Sequence, residues 1–444
     1  MSNYYIYTIK NFLRRRKFYM YQLQLLLNIP ELFTSQSKID FYSSMFENLD
    51  LSSIPEFPSS SPGRKGYSHH ALFRAFIVMK AERFGTISDL LDYLRNNLII
   101  AHLCGFDISK PLPSYWTFRR FINDFSHDYL TSIFQNQVNI LKNMGIISGE
   151  FISMDSTPIK ANTKLNNPKS FSKNKFSKDN QPKSDKDCKL GVYSASNDSS
   201  NKRYKFYWGY KNHIIVDAIS GLPIAETTTP ADAPDFEAAL SLLEKTNKWF
   251  NLKYVNFIAD KGYDVKKLYN YVRNILHGHC FIPLNKRNSK NPPLTDDGYM
   301  VCEAGIKMLK DGKQYFDGFI KQKFVCKFCN SKDDSACPIN HPKYFNGKKH
   351  RGCTKYAIIS SDYRSSINRD SLYFKAVYKL RIESERYNSR FKALDFEKAY
   401  VRNINSVSNL NTFGHITLLT VAIVAIKLGK YDEFRSLVAL MQSA

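Results

Sequence analysis

Acidic residues are the scarce class in this chain: 40 Asp and Glu stand against 64 Lys and Arg among 444 residues, a formal charge of +24. That deficit argues for a polyanionic partner, because every phosphate neutralised by a basic side chain releases condensed counterions. Long apolar runs are missing too. The longest, at residues 416–428, is short and interrupted for a bilayer span and reads as a buried helix. No secretory leader is expected, since Gln22 and Gln24 interrupt the apolar stretch after Arg14–Lys17 and no small-residue cleavage site follows. A disulfide framework is also absent. The eight cysteines are scattered, half of them in one short segment, which points to metal binding in a reducing, cytoplasmic compartment. What is present is ample core material: 43% hydrophobic and 14% aromatic residues exclude global disorder. The length points to two or three domains.

Residues 1–62 read as an N-terminal extension. From 63 to 148 the pattern is helical, with Ile87, Leu90, Leu91 and Leu94 on one face. A Gly- and Pro-containing turn at 105–113 leads to Ser114 as an N-cap and to a short helix carrying Trp116, Arg119, Arg120 and Phe121. Helix, turn and arginine-bearing helix suit DNA docking in a helix-turn-helix-like, all-α domain, although a plain helical bundle would show the same pattern. From 149 to 430 the texture is α/β: a strand ending near Asp155, a polar loop at 164–205, a hairpin turning at Ser220-Gly221, a helix at 235–250 and a buried strand ending at Asp260. Residues 287–369 interrupt this rhythm as an insertion holding the cysteine cluster. A helix at 372–394 and a hydrophobic helix near Ile416 close the domain, and 431–444 form a tail.

Strand ends of a mixed sheet deliver side chains to one rim, so Asp155 and Asp260 are candidate cation ligands, although an Asp there is more often a cap. The string from Tyr378 to Lys392 adds a third element. At about 100° per residue, Arg381, Glu385 and Lys392 fall about 300°, 340° and 320° round a helix from Tyr378, whereas Glu383 falls near about 140°. One acid flanked by Arg, Lys and Tyr on a single stripe suits a metal-binding carboxylate beside phosphate-binding groups. Lys211 and His213 lie in a strand from which they could point toward the rim, and His213, read as a satisfied strand residue, is not placed in the site.

Tyr378, two residues, Arg381, three residues, Glu385, six residues, Lys392 resembles the Tyr-Arg-Glu-Lys signature of bacterial insertion-sequence transposases of the DDE superfamily. MDSTPIKA, GYKNHIIVD, GLPIAETTTPADAPD and ADKGYD resemble the same family in the same order, and residues 63–430 share the likeness. The resemblance implies an RNase H-like catalytic domain with an insertion, preceded by the helical DNA-binding domain. It implies Asp155, Asp260 and Glu385 as catalytic ligands of two Mg²⁺ (or Mn²⁺) ions, with Tyr378, Arg381 and Lys392, and from the helical domain Arg119 and Arg120, on DNA. It implies hydrolysis that frees 3′-OH groups at transposon ends, followed by strand transfer. The partners would be terminal inverted repeats and target DNA, bound by a synaptic homodimer at the bacterial nucleoid. The rival readings are a transposase-derived DNA-binding protein without catalysis, and a nuclease that cuts but does not join.

Cys326-x2-Cys329 forms one knuckle suited to Zn²⁺. The second pair is open between Cys337 with Cys353, Cys337 with His341, and His350 with Cys353. The resemblance favours the four cysteines Cys326, Cys329, Cys337 and Cys353, as a structural zinc.

Overall fold

The computed structural model describes residues 36–57, 66–194, 204–285, 294–295, 298–316, 319–328, 337–338, 352–359 and 363–443. The chain divides into two compact units, one made of residues up to 255 and from 380 onward, the other of residues 256–379.

The first unit begins with α1 (Gln36–Glu47), α2 (His69–Ala81), α3 (Ile87–Asn96), α4 (Leu98–Cys104), α5 (Tyr115–Asp124) and α6 (His127–Asn143). Thr86 and Asp89 close a reciprocal capping box at the start of α3, satisfying backbone N–H groups that a helix start otherwise orphans. Ile87, Leu90, Leu91 and Leu94 are then all buried on the face their spacing predicts. Gly105, at φ +101°, ends α4 in the left-handed conformation. α5 follows Ser114, buries Phe118, Phe121 and Ile122, and leaves Trp116 66% exposed.

The strands β1 (Phe151–Lys160), β2 (Lys189–Ser194), β3 (Tyr204–Asp217) and β4 (Pro223–Pro230) make an antiparallel sheet in this unit. β3 is its hub. It carries β1 along one edge and β2 followed by β4 along the other. The expected hairpin turns where Ser220 and Gly221 stand, because the buried Asp217 accepts both the N–H and the hydroxyl of Ser220 at 2.7 Å. Two features differ from expectation. The polar stretch after Lys164 carries β2 at its end, since β3 is long enough to pair an extra strand. Asp155 lies inside β1 and not at its end, for the same reason: β3 pairs β1 as far as Lys160 opposite Gly209. The unit continues into α7 (Asp235–Phe250), which buries Ala239, Leu242, Leu243 and Phe250.

In the second unit β5 (Asn256–Ala259) leads to α8 (Lys266–Asn270), a π turn at Tyr271–Ile275, and β6 (His279–Phe281), which pairs with β5 in parallel. Within the expected insertion, β7 (Leu309–Phe316), β8 (Phe319–Val325) and β9 (Thr354–Ile359) form a separate antiparallel sheet. α9 (Tyr363–Ser366) and α10 (Leu372–Tyr378) complete the unit.

The chain returns to the first unit with α11 (Ile382–Lys392), α12 (Ile404–Lys427) and α13 (Leu437–Ser443). α12 is apolar and long enough to cross a membrane by composition, but its apolar window is wholly buried in the unit. α2, α5, α6 and β4 pack around it, and Phe413 sits 4.7 Å from Phe73 and 5.2 Å from Phe76, ring to ring.

Polar groups cross this core in satisfied pairs, as burial requires. His415 of α12 lies opposite Asn212 Oδ1 at 3.1 Å through Nε2, so its Nε2 is the donor and its Nδ1 accepts from the Tyr387 hydroxyl at 2.7 Å. Asn212 in turn donates to Glu226 at 2.8 Å. Burial pushes His415 down to about 3 from its ordinary 6.5, and burial likewise takes His213 to about 4. Both depressions favour the neutral folded form, so their stability contribution is full above about pH 6.5 and is lost as pH falls. Glu226, raised by burial, acts in the opposite sense. His415→Gln is therefore expected to lower the thermal midpoint most near about pH 7.5 and progressively less toward about pH 5. A thermal-shift series over that range would refute the assignment if the gap from the unaltered protein stayed constant.

Candidate active site

A helix lying along a strand builds the first part of the site. Alternate residues of β1 share one face, so Ser153 and Asp155 point the same way, about 6.6 Å apart along the strand. Ser384 and Asn388 of α11 are one helical turn apart, about 6.0 Å. The two repeats match closely enough for both pairs to bond at once. Ser153 donates to Ser384 Oγ at 2.8 Å, and the Asn388 amide donates to Asp155 Oδ2 at 2.9 Å. The far end of β1 is tied as well: Lys160 N–H donates to the Glu397 carbonyl at 3.0 Å and Ala399 N–H to the Lys160 carbonyl at 2.8 Å. β1 is thus tied to α11 near its middle and to the segment that follows α11 at its far end.

This arrangement leaves Asp155 half-buried, with its other oxygen accepting the Ser156 N–H at 2.9 Å. Glu385, next to Ser384 on the helix, keeps a side chain 50% exposed and pairs with Arg381 Nη2 at 2.8 Å across one turn. Glu383 lies on another side of α11. It is buried, bonds Arg386 at 2.5 Å, and faces Arg435 at 3.7 Å. Its neighbour along the same wall is Gly221, whose carbonyl accepts from Arg390.

The helix expected over 372–394 is not continuous. A 3₁₀ turn at Lys379–Arg381 separates α10 from α11. Each 3₁₀ residue turns about 120°, not about 100°, so the angular stripe counted from Tyr378 does not carry through the break. Arg381 and Glu385 do share a face, as their ion pair requires. Tyr378 ends α10 in the second unit, half-buried and stacked on Phe374 at 6.0 Å. Lys392 is half-buried in the last turn of α11.

Asp260 belongs to the second unit. Phe257, Ile258 and Ala259 of β5 are fully buried, and the chain leaves the core at Asp260, which caps a 3₁₀ turn by accepting the Gly262 N–H at 2.6 Å. A Cβ at Gly262 would stand 2.8 Å from that carboxylate, so the close approach needs glycine. Asp264, four residues on, is a structural acid. Its side chain is 1% exposed and takes a two-point bond from Arg364, at 2.6 Å from Nε and 2.5 Å from Nη2, together with the Asn285 N–H at 2.8 Å. Burial alone would raise its carboxyl, but Arg364 and these hydrogen bonds hold it below the ordinary range. Its contribution to stability is present above the unfolded carboxylate range and disappears as pH falls through the depressed value. Replacing it strands the guanidinium, so Asp264→Ala should cost about 3–5 kcal/mol in chemical denaturation. A cost below about 1 kcal/mol would mean the pair behaves as a surface one.

Of the remaining expected residues, Arg119 donates to Ser406 Oγ at 3.2 Å and to the Arg402 carbonyl at 3.4 Å, which spends it on the packing of α5 against α12. Arg120 is exposed. Lys211 is held by Asp235 at 2.8 Å, and His213 is buried with Nε2 on Thr229 at 2.9 Å. Cys326 and Cys353 are brought together, Cys337 is buried in the second unit, and Cys329, His341 and His350 lie outside the described residues. Among the described residues no three carboxylate, imidazole or thiol groups already stand closely enough to hold an ion. The groups that sequence reasoning missed are Asn388, Ser153 and Ser384. Their signal was available: Ser384 and Asn388 lie three and seven residues past Arg381, which is helical spacing.

A family profile described as "Transposase DDE domain" matches residues 148–419, and one described as "Transposase domain (DUF772)" matches residues 30–124. No curated protein matches the chain. Among solved structures, the chain is similar to the piggyBac transposase in a synaptic complex with hairpin DNA, at 11% identity over 92% of this chain and 80% of that one, with a TM-score of 0.35. That score is too low to carry an argument about the fold. The profile match spans well over half of the sequence, and the chain belongs to the transposase DDE domain family.

Proposed function

We propose that the chain cuts and joins DNA at the ends of an insertion sequence, with Asp155, Asp260 and Glu385 as the ligands of two divalent cations. The observation that carries this reading is the clasp of α11 on β1. It holds Asp155 by the Asn388 amide and presents Glu385 on the adjoining flank of the same helix. Three carboxylates are hard oxygen donors, and two of them are half-exposed on rigid elements, which suits Mg²⁺ or Mn²⁺. Bound there, such ions would supply the positive charge that readies water for attack at neutral pH and steadies the leaving 3′ oxygen.

The residues around them divide the remaining work. Asn388 holds Asp155 Oδ2 and so sets the orientation of the carboxylate. Arg381 balances the charge of Glu385 and is placed to exchange that partner for a phosphate, to which a guanidinium can bond in two places. Lys392 and Tyr378 are read as further phosphate contacts. Water adds to the phosphodiester at the element's end and leaves a 5′ phosphate and a free 3′-OH. That hydroxyl then attacks a phosphodiester of target DNA and displaces its 3′ oxygen, so no covalent protein–DNA link forms. The catalytic domain is read as RNase H-like, with the antiparallel β1, β3 and β4 as the first strands of that fold. The helices α2–α6, with exposed Trp116 and Arg120, are read as the arm that grips terminal repeats, in a homodimer that pairs two ends.

The test is direct. Linear DNA bearing candidate terminal repeats is incubated with the purified protein and Mg²⁺, with and without chelator, beside Asp260→Asn. Strand cleavage is expected only for the unaltered protein with metal. Cleavage that persists in Asp260→Asn would remove Asp260 from the reaction, and cleavage that persists in chelator would remove the cations from it.

A further inference from the structure

The polar stretch between β1 and β2 holds eight lysines, three aspartates and no arginine over residues 161–194. It is fastened to the sheet. Asn166 exchanges two bonds with Trp208 of β3, accepting its N–H at 2.9 Å and donating to its carbonyl at 2.7 Å. The Trp208 indole donates to the Lys175 carbonyl at 2.8 Å, and the Tyr210 hydroxyl donates to Asp185 at 2.7 Å. Tyr204, Phe206, Trp208 and Tyr210 alternate along β3 and so share one face, which the stretch covers at Trp208 and Tyr210. Farther along that face Tyr204, Phe206 and Val192, the partner of Phe206 in β2, are all exposed, and Phe171 within the stretch is fully so. The aspartates are turned to internal donors: Asp185 to Tyr210, Asp187 to the Ile404 N–H at 2.9 Å, and Asp179 to the Ser177 hydroxyl at 3.2 Å. Lys164, Lys169, Lys173, Lys178, Lys183 and Lys186 are exposed.

We propose that this fastened lysine stretch, with the exposed face of the β2–β3 ribbon, is a docking surface for target DNA, held by its backbone without regard to sequence. A solvated loop also gathers charge. It has no need to be pinned through Asn166, Lys175 and Asp185, and it does not set exposed aromatic rings among its lysines. Duplex DNA meets both features, with phosphates for the lysines and sugar edges and thymine methyls for the rings. A second copy of the chain does not, because a symmetric contact would set the same lysines against each other. Arginine is the commonest reader of bases, whereas lysine meets phosphate as a point charge. Contacts of the second kind position a duplex and carry no sequence information. Of the two duplexes in the proposed reaction, the target is the one that the element's terminal sequence does not define. The reach is suitable. Ile214, opposite Asp155 in the sheet, lies eight residues along β3 from Phe206, about 27 Å at strand rise and less than one turn of DNA. The choice of target DNA rests on the proposed cutting and joining, whereas affinity for DNA as such does not.

Binding by the full chain without metal tests the surface apart from catalysis. In the combined variant Lys169→Gln, Lys173→Gln, Lys178→Gln, affinity for a random-sequence duplex should fall about ten-fold or more at about 0.1 M salt. The slope of log affinity against log salt should flatten by about two to three. Lys245→Gln, Lys248→Gln, Lys253→Gln together remove the same charge from exposed positions at the end of α7 and just beyond it. That control should change the slope by less than about one. With Mg²⁺, the first variant should join precleaved ends poorly at limiting target and recover with excess target, while cleaving terminal repeats within about three-fold of normal. Loss of random-duplex affinity supports the surface even if the unaltered protein neither cuts nor joins, a failure that would count against the carboxylate site alone. An unchanged slope in the first variant, or an equal loss in the α7 variant, would overturn the surface. Terminal-repeat cleavage that falls as far as joining would overturn target DNA as its occupant.

Discussion

Glu385→Gln is expected to reduce strand cleavage by on the order of 10³-fold or more, whereas Glu383→Gln, two residues away, should leave cleavage within about ten-fold of normal. The contrast comes from where α11 puts each acid. Glu385 is half-exposed beside the Asp155 clasp and pairs with Arg381, one turn back. A glutamine there cannot supply the negative charge that a divalent cation requires. Glu383 is buried against Arg386 and Arg435, so its loss should appear in stability, at about 1–3 kcal/mol for a buried acid deprived of its charge. Parallel cleavage and denaturation measurements separate the two cases. Equal loss of cleavage in both variants, with both proteins folded, would mean that α11 presents a different face to the reaction.

Asn388→Ala should raise the divalent-cation concentration that cleavage needs by about 10–100-fold, as loss of a group that orients a metal ligand commonly does. Asn388 touches no reacting atom in this account. It acts through Asp155, whose Oδ2 it fixes at 2.9 Å. The informative readout is therefore the Mg²⁺ concentration for half-maximal cleavage. That midpoint should rise, with the maximal rate recovering substantially at saturating metal. Asn388→Gln, with one more methylene, should rescue part of the loss. An unchanged midpoint with a lowered maximal rate would instead mean that Asn388 supports folding or DNA binding and not the position of Asp155.

These two variants also mark how far the sequence could be read. Periodicity and turn chemistry gave α3, the hairpin at Ser220-Gly221, α7, β5 and the buried α12, because each is set by local pattern. The fate of Asp155 was not local. An apolar run followed by polar residues looks like a strand end, and only the length of β3 extends β1 past it. β2 was hidden for the same reason: its pairing comes from the far half of β3, not from alternation in its own residues. The 3₁₀ turn at Lys379–Arg381 broke a helix that propensity alone would continue. Asn388 carries no charge, so it did not stand out until the fold gave it Asp155 as a partner. Arg119 has partners that no local pattern showed, the Ser406 hydroxyl and the Arg402 carbonyl.

The central claim is that one carboxylate site performs both cutting and joining. A precleaved element end with a free 3′-OH, mixed with plasmid target, protein and Mg²⁺, isolates the second reaction. The unaltered protein is expected to link that 3′ end covalently to target strands, and Asp155→Asn to form no such product while still binding the DNA. Joining by Asp155→Asn, or a protein that cleaves element ends yet never joins them, would contradict the claim.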